Sequence, residues 1–136
     1  MAINLNPYLA FDGTCREAME YYQSIFGGEL TSMTFGEASG GAAFPGSDKV
    51  MHSSLVTAWG DLIFAADTMP EMNHQPGDTV AVSLSGPDEA LDTQFRALAD
   101  GGQIHVPYEK QMWGDVYGQV RDRFGVLWHV NRTAEQ

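Results

Sequence analysis

Cysteine occurs once in the chain, at Cys15, which excludes an internal disulfide and suits a reducing compartment. Basic residues are scarce: 7 Lys and Arg stand against 18 Asp and Glu, a net charge of −11. An acidic chain repels phosphate backbones, so nucleic acid is not an expected partner, and a neutral or cationic ligand is favoured. Solubility alone also accounts for such a charge. No apolar stretch approaches the roughly 20 residues that a membrane helix needs. Met1–Pro7 has neither a basic start nor a long apolar run. The chain is therefore expected to be cytoplasmic, with no signal peptide and no membrane contact. Catalytic signatures are missing too. There is no G-x-S-x-G elbow and no H-x-H or H-E-x-x-H spacing. Neither helix start, Phe11–Glu17 nor Leu84–Glu89, supplies the G-x-G-x-x-G of a nucleotide-binding turn.

What is present is a duplication. The 136 residues, 43% of them apolar, suffice for one domain or for two small modules sharing a core. Cys15–Leu30 (CREAMEYYQSIFGGEL) has a counterpart in Asp88–Ile104 (DEALDTQFRALADGGQI). Each reads as a short amphipathic helix stopped by a Gly pair. Ala18, Tyr22 and Ile25 form one apolar stripe; Leu91, Phe95 and Leu98 form the other, 73 positions later. Downstream, Trp59-Gly60 and Phe124-Gly125 precede the apolar runs Leu62–Ala66 and Val126–Val130, at an offset of 65.

Read along the chain, Asn4–Phe11 is a first strand, with Pro7 placing it at an edge or interface. Thr14 and Glu17 form a capping box that opens the helix, and Gly27-Gly28 closes it. Glu29–Phe35 is a strand, and the Gly- and Ala-rich Gly36–Ser47 a flexible loop. Val50–Ala58 and Leu62–Ala66 form a hairpin turned at Trp59-Gly60. Asp67–Asp78, with Pro70 and Pro76, is a linker. Thr79–Leu84 is a β-branched strand, and Pro87 suits the first turn of the helix that Gly101-Gly102 ends. Gln103–Pro107, Val116–Arg121 and Val126–Asn131 are three more strands. The predicted architecture is α+β: two βαβββ repeats, about residues 4–66 and 79–131, joined by linker 67–78 in a single domain. The second copy is 8 residues shorter between helix and hairpin, most of it at the place of Gly36–Ser47.

This order resembles the vicinal oxygen chelate superfamily, which includes glyoxalase I, bleomycin and fosfomycin resistance proteins and extradiol dioxygenases. The wording is closest to its PhnB-like branch. It is carried by Pro7–Gly13 (PYLAFDG), Cys15–Tyr21 (CREAMEY), Phe26–Glu29 (FGGE), Met51-His52, Trp113–Gly118 (WGDVYG) and Asp122–Trp128 (DRFGVLW), and spans about Asn4 to Asn131. The resemblance implies curved mixed sheets around a cup, the glyoxalase/bleomycin resistance fold, with the helices on the convex side. It implies a homodimer in which a second chain completes the cavity. The methyltransferase label that this branch often carries has no nucleotide-binding turn behind it here.

In metal-using relatives, ligands lie early in the first strand of each module and in the middle of its last. Here those positions fall on Asn6, Phe64, Thr79 and His129, which also obey the offsets of 73 and 65. Zinc or nickel takes imidazole, carboxylate or thiolate donors. Only His129 qualifies, so no metal site and no cofactor are expected, and a divalent Zn, Ni or Mn centre is disfavoured. The expected function is binding of a small organic molecule in a dimer-completed cavity. Candidate ligand-binding residues are Tyr8, His52, Phe64, Thr79, Trp113 and Tyr117, with His129 the candidate catalytic acid or base. Whether the chain is an enzyme stays open. The alternatives are a metal-dependent lyase, isomerase or dioxygenase of the same superfamily, or a non-catalytic interaction module. His74 and His105 are read as structural or solvated. Which face of Val50–Ala58 carries His52 is not fixed by the pattern. If His129 faces the cup, Trp128 packs under a helix.

Overall fold

The duplication extends to individual hydrogen bonds in a computed structural model, which describes residues 3–134. In the turn after β3 (Val50–Val56), Thr57 N–H donates to the Asp61 carbonyl at 2.8 Å and Gly60 N–H to the Thr57 carbonyl at 2.9 Å. Sixty-five residues on, Asp122 N–H donates to the Val126 carbonyl at 2.9 Å and Gly125 N–H to the Asp122 carbonyl at 3.0 Å. Even the side chains correspond. Thr57 Oγ1 accepts from the backbone of Asp61, as Asp122 Oδ1 accepts from that of Val126.

The chain divides into two compact units, Met1–Gln75 and Pro76–Gln136. In the first, β1 (Tyr8–Phe11), α1 (Cys15–Phe26), β2 (Glu29–Thr34), a short α2 (Phe35–Ala38), β3 and β4 (Leu62–Asp67) build one sheet of order β1-β4-β3-β2. The β1–β4 pair is parallel and the others antiparallel. A 3-10 turn, Pro70–Met72, follows. In the second unit, β5 (Val82–Gly86), α3 (Ala90–Ala99), β6 (Gln103–Lys110), β7 (Val116–Arg121) and β8 (Leu127–Arg132) repeat the plan as β5-β8-β7-β6. The fold is α+β, two four-stranded mixed sheets each with its helix. No helix among the described residues is long and apolar enough to cross a membrane.

Each helix lies on one face of its sheet because its apolar residues recur three and four apart. Cys15, Ala18, Met19, Tyr22 and Phe26 of α1 are buried with Leu55, Ile63 and Ala65. Ile25, expected on that stripe, sits half-exposed at its margin, and Met19 and Phe26 take the inner positions. In the second unit, Leu91, Phe95 and Leu98 bury against Val120, Trp128 and Val130. Gly118 makes the close packing possible. A Cβ there would stand 2.9 Å from Phe95 and 2.8 Å from Tyr108 Cα. Phe95 and Tyr108 stack with ring centroids 4.8 Å apart.

Four local expectations are corrected. The first strand starts at Tyr8, not Asn4: its ladder with β4 begins at the Tyr8–Phe64 pair, just after Pro7, which has no N–H to donate. β5 likewise begins at Val82, the first residue paired with β8, so Thr79 lies in an exposed bend before it. Pro87 precedes α3 rather than opening it. Lastly, Thr14 makes no side-chain cap on α1. Asp67, at the end of β4, takes the Cys15 N–H instead, at 2.9 Å, and its other oxygen takes that of Val50 at 2.9 Å. A buried carboxylate beside the positive end of the helix outcompetes a local hydroxyl. The capping box occurs instead at Thr34 and Glu37, where Glu37 N–H donates to Thr34 Oγ1 at 3.0 Å and Thr34 N–H to Glu37 Oε1 at 3.2 Å. It opens α2 inside the segment read as flexible loop.

Candidate functional site

Strand register decides which side chains meet, because alternate residues face opposite sides of a sheet. In the first unit Tyr8 pairs with Phe64, and Phe64 with Ser54. Ile63, Ala65 and Ser53 are buried on the α1 side, so Tyr8, Phe64, Ser54 and His52 share the opposite face. There Tyr8, His52 and Phe64 form a ring cluster. Centroids are 6.1 Å apart for Tyr8–His52, 6.1 Å for Tyr8–Phe64 and 5.4 Å for His52–Phe64, all tilted. The Tyr8 hydroxyl lies 3.5 Å from His52 Nδ1. Tyr8 keeps 58% of its surface accessible, more than a core aromatic would.

In the second unit, Trp128 is fully buried beneath α3, its indole N–H donating to Asp122 Oδ2 at 2.8 Å. His129 therefore points to the other face, where β7 supplies both of its partners. The Tyr117 hydroxyl lies 2.7 Å from His129 Nδ1, and the Gln119 amide nitrogen 2.9 Å from His129 Nε2. Both ring nitrogens are thus engaged. Tyr117 and His129 occupy the places of His52 and Phe64 at the offset of 65, and the two ring pairs have similar spacing, 5.8 and 5.4 Å.

Of the sequence-predicted ligand residues, Tyr8, His52 and Phe64 meet in one unit, and Tyr117 and His129 in the other. Two stand apart from either group. Thr79 is in its bend, and Trp113, 61% exposed, is in the β6–β7 turn. Asp115 organises that turn. It accepts from Asn131 Nδ2 at 3.0 Å and from the Ala134 N–H at 2.9 Å, and these bonds, with a smaller one from Trp113, hold its carboxyl below its usual range. Gln119 escaped the sequence reading, although its spacing of two from Tyr117 already set both on one face.

The donor set does not fit a divalent ion. Phe64 has no donor atom, the Asn6 amide donates to the Leu62 carbonyl at 3.3 Å, and both His129 nitrogens are taken. Among the described residues no group of three or more His, Cys, Asp or Glu could hold a metal. A groove of about 340 Å³ lies at the start of α1, on the helix side of the first sheet. Arg16 and Lys49 line it with Glu17, Glu20, Asp48 and Asp67, charges of both signs. The thiol of Cys15 nearby is pushed up to about 12 by burial and by Asp67, which makes it a poor nucleophile.

Comparison with known proteins agrees with the fold. Residues 4–130 match the model of the Glyoxalase/Bleomycin resistance protein/Dioxygenase superfamily. Protein YjdN of Escherichia coli is 31% identical, with 97% of each chain covered. The crystal structure of protein PA1353 from Pseudomonas aeruginosa is 33% identical, with 96% of this chain and 97% of that one covered and a TM-score of 0.86. A Bacillus cereus PhnB protein, described as a putative 3-demethylubiquinone-9 3-methyltransferase, shares the fold at 23% identity, with coverage of 94% and 98% and a TM-score of 0.77. The chain belongs to the glyoxalase/bleomycin resistance protein/dioxygenase superfamily.

Proposed function

We propose that this is a PhnB-like protein that binds a small organic molecule, without the superfamily's usual metal centre, in a cavity completed by a second copy of the chain. The observation that carries this is the Tyr8–His52–Phe64 cluster. It leaves aromatic surface accessible on the face away from α1, and puts a phenyl ring where a metal-using relative would need a donor. Aromatic walls with a few polar groups are what small-molecule sites use. Tyr117, His129 and Gln119 are the polar groups of the second unit. They form a hydrogen-bonded group that recognises a ligand or, if the chain is an enzyme, supplies its acid or base. Thr79 and Trp113 are further candidate ligand contacts in the second unit.

A fragment screen by thermal shift, with Phe64→Ala and His52→Ala as controls, tests the reading. Hits lost in both variants are expected, together with a dimer mass in native mass spectrometry. Hits that persist in both would move the site elsewhere. A strong stabilisation by Zn²⁺, Ni²⁺ or Mn²⁺ would favour a metal-dependent lyase, isomerase or dioxygenase. No hit at all would favour a non-catalytic interaction module.

A further inference from the structure

We infer that Gln119 sets the tautomer of His129, and that the group thereby presented to a ligand is the Tyr117 hydroxyl, as a donor to an oxygen acceptor. This rests on the binding reading above, since it names what the polar groups of the second unit would recognise. Gln119 and His129 are directly paired across β7 and β8. The Gln119 amide nitrogen, 2.9 Å from His129 Nε2, carries only donors, so Nε2 must be the acceptor. A neutral ring then has its one proton on Nδ1. That N–H donates a hydrogen bond to the Tyr117 oxygen, 2.7 Å away. The tyrosine's own proton is left to point elsewhere, and a carbonyl, ether or anionic oxygen of a ligand can accept it.

The first copy lacks the device. Ser54 stands where Gln119 stands, across from Phe64 rather than a histidine, and is too short to repeat the contact. Sheet symmetry alone therefore does not account for Gln119. His129 acts here through Tyr117, as a positioning residue, and Gln119 acts through His129.

Imidazole ¹⁵N shifts at pH 8 test the tautomer without any ligand, the His129 signals being identified by their loss in His129→Gln. The wild-type ring should carry its proton on Nδ1. In Gln119→Glu a carboxylate replaces the donor, and Nε2 should gain a proton. A wild-type ring protonated on Nε2, or a Gln119→Glu ring unchanged from wild type in a folded protein, overturns the inference. The donor role is read with two probes of matched shape, acetophenone and α-methylstyrene. Wild type should prefer the ketone roughly five- to tenfold, the weight of one hydrogen bond, and Tyr117→Phe should lose the preference. Equal binding of both by wild type overturns the donor role. Binding of neither, with the tautomer as expected, counts against the binding reading and leaves the tautomer assignment standing.

Discussion

Asp67 and Cys15 are joined across 52 residues of sequence: the carboxylate at the end of β4 accepts the first backbone N–H of α1 at 2.9 Å. The same carboxylate accepts the N–H of Val50 at the start of β3. One buried side chain thus ties a helix to two strands. Asp67→Ala would leave two backbone donors without acceptors, at a cost of about 1–3 kcal/mol for each group so stranded. Urea unfolding should show a stability loss of about 2–6 kcal/mol, with Asp67→Asn losing less because it keeps one acceptor oxygen.

Gly118 tests the packing of the second unit. A methyl added there would come within 3 Å of both Phe95 and Tyr108 Cα, so Gly118→Ala must push α3 or β6 outward. Overpacking of this kind costs about 1–3 kcal/mol. Thermal unfolding should show a lower Tm, and the Phe95→Leu background should recover part of the loss by making room.

Alkaline pH should weaken the fold. Burial first, then Asp67, raises the Cys15 thiol to about 12; burial first, then the hydrogen bond to Asp92, raises the Tyr108 phenol to about 12. Both groups are neutral when protonated, and their unfolded values are 9.0 and 10.0. Below pH 9 both states hold these protons and the stability is fully present. From pH 9 upward the unfolded chain releases protons that the folded chain retains, so stability falls until about pH 12. Denaturant melts at pH 8, 10 and 11 should show this decline, with a shallower one in Cys15→Ala. Native protein should also resist thiol reagents at pH 8 until unfolded.

The Thr34–Glu37 capping box should hold the start of the loop between β2 and β3. Thr34→Ala removes the Glu37 acceptor and should cost about 1 kcal/mol. Hydrogen exchange should accelerate at the Glu37 amide and leave the α1 amides unchanged.

The duplication was legible because apolar side chains recur at fixed offsets, and 73 and 65 located both helices and both hairpins. The shorter second copy was legible for the same reason. β2 and β3 start 21 residues apart, β6 and β7 only 13. Capping was misread because Thr14-x-x-Glu17 and Thr34-x-x-Glu37 carry the same local signal. Only the arrival of Asp67 from a distant strand decides between them. The face carrying His52 depended on hydrogen-bond register, set by Ser54 standing opposite Phe64. Thr79 fell outside its expected strand because β8 ends its pairing at Val82. The bond between Gln119 and His129 needed coordinates. A glutamine in a half-buried strand has no local mark that distinguishes a site residue from a solvated one.

Metal content of the protein purified without chelator, measured alongside a His129→Ala variant, bears most directly on the proposed metal-free binding site. Substoichiometric zinc, nickel and manganese, the same in both proteins, is the expected result. One equivalent of metal per chain in the wild type, lost in His129→Ala, would contradict it.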